Sequence, residues 1–332
     1  MVPELIALVL LLAITAYSTA GGVDFGAGIW DLLAGNSARG REARALIDHA
    51  MAPVWEVNNV WLVLAIVLSW TAFPVLFQTV FSTVYPLFAL ALVGLILRGA
   101  FFAFRHVAHD EREHRAADIV FGVSSVLTPF FFAASLGAVA SGQIGSRPAL
   151  EASFGPMPIA FGLVSVAATA FSGASFLLGD ARRYGVPELA DYFRRRLLVA
   201  GVALIATGTA ALAVIGSQTP SLLRSMLGGP GLPFALATML LTPAVMYLAW
   251  RGIHHWYRVL TIAAVGSMVF AWGFAQSPYL LPGRLTIEQA IAPPATQTVL
   301  LIVTVALVVL IAPSLALLYY LDQASTLESP KS

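Results

Sequence analysis

Apolar positions fall into nine long runs separated by short polar connections. Each run has the length an α-helix needs to cross a bilayer core, roughly 20 residues at a rise of about 1.5 Å each. The runs cover residues 5–33, 54–73, 78–104, 117–140, 157–179, 197–216, 232–250, 257–276 and 297–320. No connection has room for a soluble domain. The N-terminal run, after Met1-Val2-Pro3-Glu4, lacks the positive segment of a signal peptide and stays apolar through Val23–Leu33, so it reads as a retained first span. The pattern predicts an all-α polytopic membrane protein with nine transmembrane helices and a single integral membrane domain over residues 1–332.

Composition agrees with this pattern and removes several chemistries. Of the 332 residues 59% are apolar and 11% charged, with a mean hydropathy of +0.84, whereas soluble domains carry about 25% charged residues. The 18 Lys and Arg nearly balance 17 Asp and Glu, which gives no reason to expect a nucleic-acid partner. Cysteine is absent, which excludes disulfides, iron–sulfur clusters, thiolate metal sites and Cys nucleophiles.

The distribution of the basic residues orients the chain. With nine spans, 15 of the 18 Lys and Arg fall on the side shared by loops 1–2, 3–4, 5–6, 7–8 and the C-terminus, leaving only Arg147, Arg224 and Arg284 opposite. The positive-inside rule then puts the N-terminus in the periplasm and the C-terminus in the cytoplasm. Arg98-Gly99 with Arg105 at the end of span 3 is matched by Arg251-Gly252 with Arg258 at the end of span 7. This faint repeat suggests two four-helix units, residues 1–144 and 145–280, followed by a peripheral ninth helix and tail over 281–332.

Polar residues inside apolar runs are the candidates for chemistry, because an ionisable group near the bilayer centre costs roughly 2.5–3.5 kcal/mol on insertion scales. In span 1, Tyr17, Gly21, Asp24, Gly28 and Asp31 recur at helical spacing, giving one face of small residues and two acids. Asp24 is either a proton-handling group or a structural acid paired with an arginine of a neighbouring helix. Asp31 reads as interfacial. Span 2 opens Pro53-Val54-Trp55-Glu56-Val57-Asn58-Asn59-Val60-Trp61-Leu62, where Glu56 and Asn59 share a stripe and Asn58 points away from Glu56. Glu56 is either a relay carboxyl or an acid at headgroup level favoured by a helix N-terminus. Asp24 and Glu56 approach the same cytoplasmic side and are expected to form one inward-opening polar track.

All six histidines, His49, His106, His109, His114, His254 and His255, lie at or beyond span ends. The cluster at 106–114 reads as a solvated charged loop rather than a metal site. With no histidine inside a span the chain is a poor haem holder. Most of the seven tryptophans lie near span ends, as an aromatic belt would, and the seven methionines read as packing residues.

Three early segments, Gly22-Val23-Asp24-Phe25-Gly26-Ala27-Gly28, Pro53 to Leu62, and Leu97-Arg98-Gly99 through Phe104-Arg105, resemble the successive signatures of subunit II of cytochrome bd-type quinol oxidases. A late segment, Trp272-Gly273-Phe274-Ala275-Gln276-Ser277-Pro278-Tyr279-Leu280 with Pro282 and Leu285-Thr286-Ile287, resembles the cyanide-insensitive branch of that family. The resemblance implies a fold of two four-helix bundles plus one helix. It implies no cofactor on this chain, haems b and d on a partner subunit I, and quinol as substrate of the heterodimer. It places the complex in the bacterial inner membrane among lipid and quinone and allows for a small single-helix subunit.

By the same resemblance Glu56 occupies the acid of a W-[DE]-x-N motif on a cytoplasmic proton-uptake route, and Asp24 the acid of a G-x-D-x-G motif. Asn59 and Ser18 join them as proton-path candidates. Trp55, Asn58, Trp61, Arg98 and Arg105 are structural or interface candidates. Gly21 and Ala103 stand where many members carry further acids, so a proton route here runs with fewer carboxylates, and water or the hydroxyls of Ser18 and Thr19 are the available substitutes. The alternatives are a stand-alone proton-coupled secondary transporter and a purely structural subunit in which Asp24 and Glu56 only hold helices together.

Overall fold

The computed structural model describes residues 2–35, 37–51, 54–105, 110–253 and 256–323. Helices lie under all nine apolar runs. In chain order they are α1 (Val2–Leu32), α2 (Ala38–Met51), α3 (Val54–Ala72), α4 (Pro74–Thr83), α5 (Tyr85–Phe104), α6 (Glu111–Ala140), α7 (Ala149–Ser153), α8 (Pro156–Arg183), α9 (Pro187–Gln218), α10 (Pro220–Gly228), α11 (Leu232–Arg251) and α12 (Tyr257–Gln276). A hairpin of β1 (Tyr279–Leu281) and β2 (Leu285–Thr286), then α13 (Ile287–Ala290) and α14 (Pro294–Gln323), complete the chain. Among the described residues seven helices are long and apolar enough to cross a membrane, and α3 with α4 forms a pair bent by 114°, a broken span or a re-entrant loop, that brings the number to eight if it is one span. The described apolar stretch of α14, Pro294–Leu307, is shorter than a full span. The chain is a helical multi-pass membrane protein.

Two boundaries differ from the sequence reading. Residues 78–83, expected at the start of span 3, lie on α4, and the span begins at Tyr85. The break has a local cause: Phe73 is non-helical (φ −130°, ψ 61°), and Pro74 and Pro86 sit at the first positions of α4 and α5, where proline's missing N–H does no harm. The buried Phe73 ring holds the corner, and the Ala292 N–H donates to the Ala72 carbonyl at 2.8 Å, supplying the end of α3 with a partner. The connection 34–52 is also not a plain loop, since it contains α2, which buries Ala43, Leu46 and Ile47 in the largest apolar cluster.

Helix α8 is the centre of the molecule, packed against α9, α1 and α6. Phe171, Leu177 and Leu178 of α8 meet Phe193 and Leu197 of α9, Phe121 of α6 and Trp30 of α1. Because lipid is as apolar as these side chains, the helices associate through close packing more than through the hydrophobic effect. At Gly26 and Gly173 the α1 and α8 backbones touch, and a Cβ on Gly26 would stand 2.8 Å from the Gly173 backbone nitrogen. α1 and α3 run antiparallel, since Ile6 and Leu10 near the start of α1 cluster with Leu68 and Ala72 near the end of α3.

Candidate functional site

Asp24 and Asp31 are seven residues apart on α1, and Arg98 and Arg105 are seven apart at the end of α5. Seven residues are two helical turns, about 10.5 Å, so the helices meet in two charged rungs at two levels. In the inner rung Arg98 is 1% exposed and Asp24 2%. Arg98 Nη2 donates to Asp24 Oδ1 at 2.6 Å and to the Asp24 carbonyl at 3.0 Å. Arg98 Nη1 donates to the Ser125 hydroxyl of α6, which donates onward to the Phe121 carbonyl at 2.6 Å. The guanidinium lies between the rings of Phe25 and Phe121, 4.9 and 4.4 Å from their centroids, so its faces meet the negative side of π systems. Gly28 makes the room, because a Cβ there would stand 2.7 Å from Arg98 Nη1.

The outer rung gathers more charge. Arg105 Nη2 stands 3.1 Å from Asp31 Oδ2 and 3.5 Å from Asp48 Oδ1 of α2, and Arg105 Nε stands 2.9 Å from Asp118 Oδ1 of α6. Arg44 Nε of α2 approaches Asp31 Oδ1 at 3.5 Å. Asp31, read from the sequence as interfacial, is 1% exposed, covered by α2, whose Arg44 approaches it. Neither Asp31 oxygen has an aligned hydrogen bond, so charge rather than bond geometry holds this carboxylate. Sequence reasoning assigned Asp31 no role beyond an interfacial one and did not bring Asp48, Asp118, Arg44 or Ser125 into the site. The signal for Asp31 was present: the spacing between the two acids equals the spacing between the two arginines.

Of the other predicted residues, Asn58 is 2% exposed and faces α1 at Gly21, where a Cβ would stand 2.9 Å from Asn58 Nδ2 and 3.1 Å from Oδ1. Asn58 is therefore an amide that lies against α1, and Asn59 is half-buried. With the helices antiparallel and Gly21 level with Asn58, the backbone of position 56 lies about level with positions 23–24. Glu56 and Trp55 belong to the first turn of α3, and their side chains lie outside the described residues. Ser18 is half-buried on the wall of an apolar cavity of about 540 Å³, and Trp61 is half-buried. Thr19, one of the hydroxyls expected to substitute for missing acids, donates to the Thr15 and Ala16 carbonyls.

The second half does not copy the first. Arg251, matched to Arg98 by the repeat, is exposed. Arg258 of α12 pairs with Asp180 of α8 at 2.7 Å in a partly buried site, 25% and 18% exposed. Trp30, counted with the aromatic belt, is buried, its indole N–H donating to the Ala170 carbonyl at 2.8 Å. Of the charged cluster at 106–114, residues 106–109 lie outside the described residues, as do His254 and His255. Among the described residues no group of three His, Cys, Asp or Glu is arranged to hold a metal.

These features define a class: a multi-pass helical membrane protein with carboxylate–arginine pairs buried between spans, a disposition typical of proteins that move ions or protons. The family described as "Cytochrome bd terminal oxidase subunit II" matches residues 2–322. The chain belongs to that family. "Putative cytochrome bd menaquinol oxidase subunit II" of Bacillus subtilis (strain 168) is 22% identical over 84% of this chain and 84% of its own length. "Cytochrome bd ubiquinol oxidase subunit 2" of the same organism is 32% identical over 33% of this chain. "Cytochrome bd-I ubiquinol oxidase subunit 2" of Escherichia coli (strain K12) is 25% identical over 38% of it. The last two matches span about a third of those relatives, 31% and 32%. The fold matches the structure of bd oxidase from Geobacillus thermodenitrificans with a TM-score of 0.82 at 22% identity, covering 97% of this chain and 99% of that one.

Proposed function

We propose that the chain is the haem-free subunit II of a respiratory quinol:oxygen oxidoreductase in a bacterial inner membrane. It forms a heterodimer with a haem-bearing subunit I, stabilises that subunit, and carries protons from the cytoplasm toward the site where oxygen is reduced to water. In this reading haems b and d belong to the partner, quinol is the substrate of the complex, and turnover is electrogenic. Nine spans in two four-helix units and a peripheral ninth helix, with the N-terminus periplasmic, suit this role. So does the clustering of Arg105, Arg44, Asp31, Asp48 and Asp118 at the cytoplasmic mouth.

The observation that carries the reading is the inner rung. A carboxylate 2% exposed, bound to a buried guanidinium at 2.6 Å, lies two turns inside a rim of three further acids. The sequence supplies a second acid, Glu56, in the first turn of α3. A line of carboxylates of graded depth is what proton entry through an apolar barrier requires. Family membership favours this reading over a stand-alone transporter.

The test is oxygen consumption and proton uptake by the purified complex carrying Glu56→Gln or Asp24→Asn. The reading expects turnover to fall at least several-fold with haem content unchanged. Normal turnover and uptake in both variants would overturn it. Loss of the haem-bearing partner in both would assign these acids to assembly instead.

A further inference from the structure

The two rungs differ in charge balance. In the inner one Asp24 faces Arg98, one charge against one. In the outer one the charges that act on Asp31 are those of Arg105, Asp118, Asp48 and Arg44, so among the described residues three carboxylates share two guanidiniums and one negative charge is in excess. Arg105 serves all three acids, through Nη2 to Asp31 and Asp48 and through Nε to Asp118. The Asp31 side chain is the deepest, 0% exposed against 25% for Asp118 and 50% for Asp48. Other neighbours bring no further balance: Arg196 of α9 lies 5.6 Å from the Trp30 ring centroid and 3.2 Å from that of Tyr192, and α8 offers the Ala170 carbonyl to the Trp30 indole N–H. A buried charge without a counter-charge is costly, and carboxylates crowded into one site do not all stay ionised. Either a metal cation or a proton relieves such an excess. A metal cation needs converging oxygens, but the centre of these acids is taken by Arg105, and among the described residues no three acids or histidines are arranged to hold one. A proton needs no coordination shell.

We propose that the outer rung is a proton-loading site, in which the excess charge of the Asp31, Asp48 and Asp118 carboxylates around Arg105 and Arg44 stores one proton at the cytoplasmic mouth. The proton comes from cytoplasmic hydronium, which reaches the cluster at Asp48 and Asp118, the two acids open to solvent. One O–H bond of hydronium breaks, one O–H bond to a carboxylate oxygen forms, a water leaves, and the cluster passes from one negative charge to none. Asp31, the least solvated of the three and without an aligned hydrogen bond to either oxygen, is the member whose charge the proton removes. Loading and unloading both run through water at the mouth, so the store raises the local supply of protons when bulk protons are scarce. This inference rests on the proton-uptake reading above.

The test uses the intact complex with Asp31→Asn and, separately, Asp118→Asn. Each variant removes one carboxylate and so cancels the excess, and either one suffices if the other fails to assemble. Infrared difference spectra of the purified complex between about pH 9 and about pH 6, above the range in which exposed carboxylates titrate, should show a carboxylic acid C=O band in the wild type. That band should be missing from both variants and shifted, not lost, in Asp31→Glu. With haem content unchanged, oxygen consumption by Asp31→Asn at saturating quinol should be at least threefold below wild type at the alkaline end, with a smaller deficit at the acid end. A merely structural role would give a deficit that does not change with pH. A wild type without the band, or a band that persists in both variants, overturns the proposal. Glu56→Gln is measured in parallel. If it slows turnover while Asp31→Asn follows wild type at every pH, the loading role is refuted and the wider reading stands; if neither slows turnover, the wider reading has failed.

Discussion

Arg98→Met isolates the energetics of the inner rung. Methionine keeps an unbranched apolar side chain in place of the arginine stem but removes the guanidinium, and with it the cation that lies between the Phe25 and Phe121 rings. Asp24, 2% exposed, then loses the cation that stands 2.6 Å from its Oδ1. Breaking a buried ion pair by removing one partner costs about 3–5 kcal/mol, because the charge left behind is uncompensated. At about 2–4 °C of unfolding midpoint per kcal/mol, the complex should lose on the order of 10 °C. The double variant Asp24→Asn/Arg98→Met removes both charges, and replacing a whole buried pair is often nearly neutral. It should therefore recover more than half of the loss. Thermal unfolding of the purified complex, followed by intrinsic fluorescence for the two single variants and the double, measures the coupling as a double-mutant cycle. An Arg98→Met effect within about 1 kcal/mol of wild type, or a double variant equal to the sum of the singles, would refute the assignment of stability to this pair.

The helix crossing and the small hairpin give two sharper local tests. Gly26→Val should abolish accumulation of folded protein in membranes, since its Cβ would stand 2.8 Å from the Gly173 backbone and backbone cannot yield as a side chain can. Gly22→Ala, whose nearest neighbour is the Ser172 hydroxyl at 3.5 Å, should accumulate normally, and equal loss in both would argue against a specific contact at Gly26. Thr286 and Gln289 form a reciprocal capping box at the start of α13, so Thr286→Ala should cost about 1 kcal/mol without changing turnover, as read by unfolding midpoint and oxygen consumption.

The helices were legible because a spanning segment must satisfy its backbone internally and present apolar side chains to lipid, and both demands are written locally. The α3–α4 corner was less so: Pro74 was visible, but one proline in an apolar run ends a helix or merely bends it, and the buried Phe73 ring and the Ala292–Ala72 hydrogen bond that fix the corner come from elsewhere. Helix α2 was missed because its polar surface reads as loop, and its apolar side has meaning only once α8 and α9 are there to receive it. The candidate site was half legible. Asp24, Glu56 and Asn58 stand out as polar residues in apolar runs, whereas Asp118 sits among the charges of a helix entrance and nothing in the sequence ties it to Arg105.

By itself the sequence determined that this is a multi-pass helical membrane protein with acids inside or at the edge of its apolar runs, since period, length and the cost of membrane charge are properties of single segments. Only the tertiary structure decided that Asp24 belongs to Arg98 and Asp31 to Arg105, that Asp31 lies under α2, and that the Asn58 amide packs against Gly21. Those facts depend on the rotation and depth of one helix against another. They are set by contacts such as Gly26 on Gly173, where backbones approach until they touch, and no pattern along one chain segment encodes which face of its neighbour it will meet.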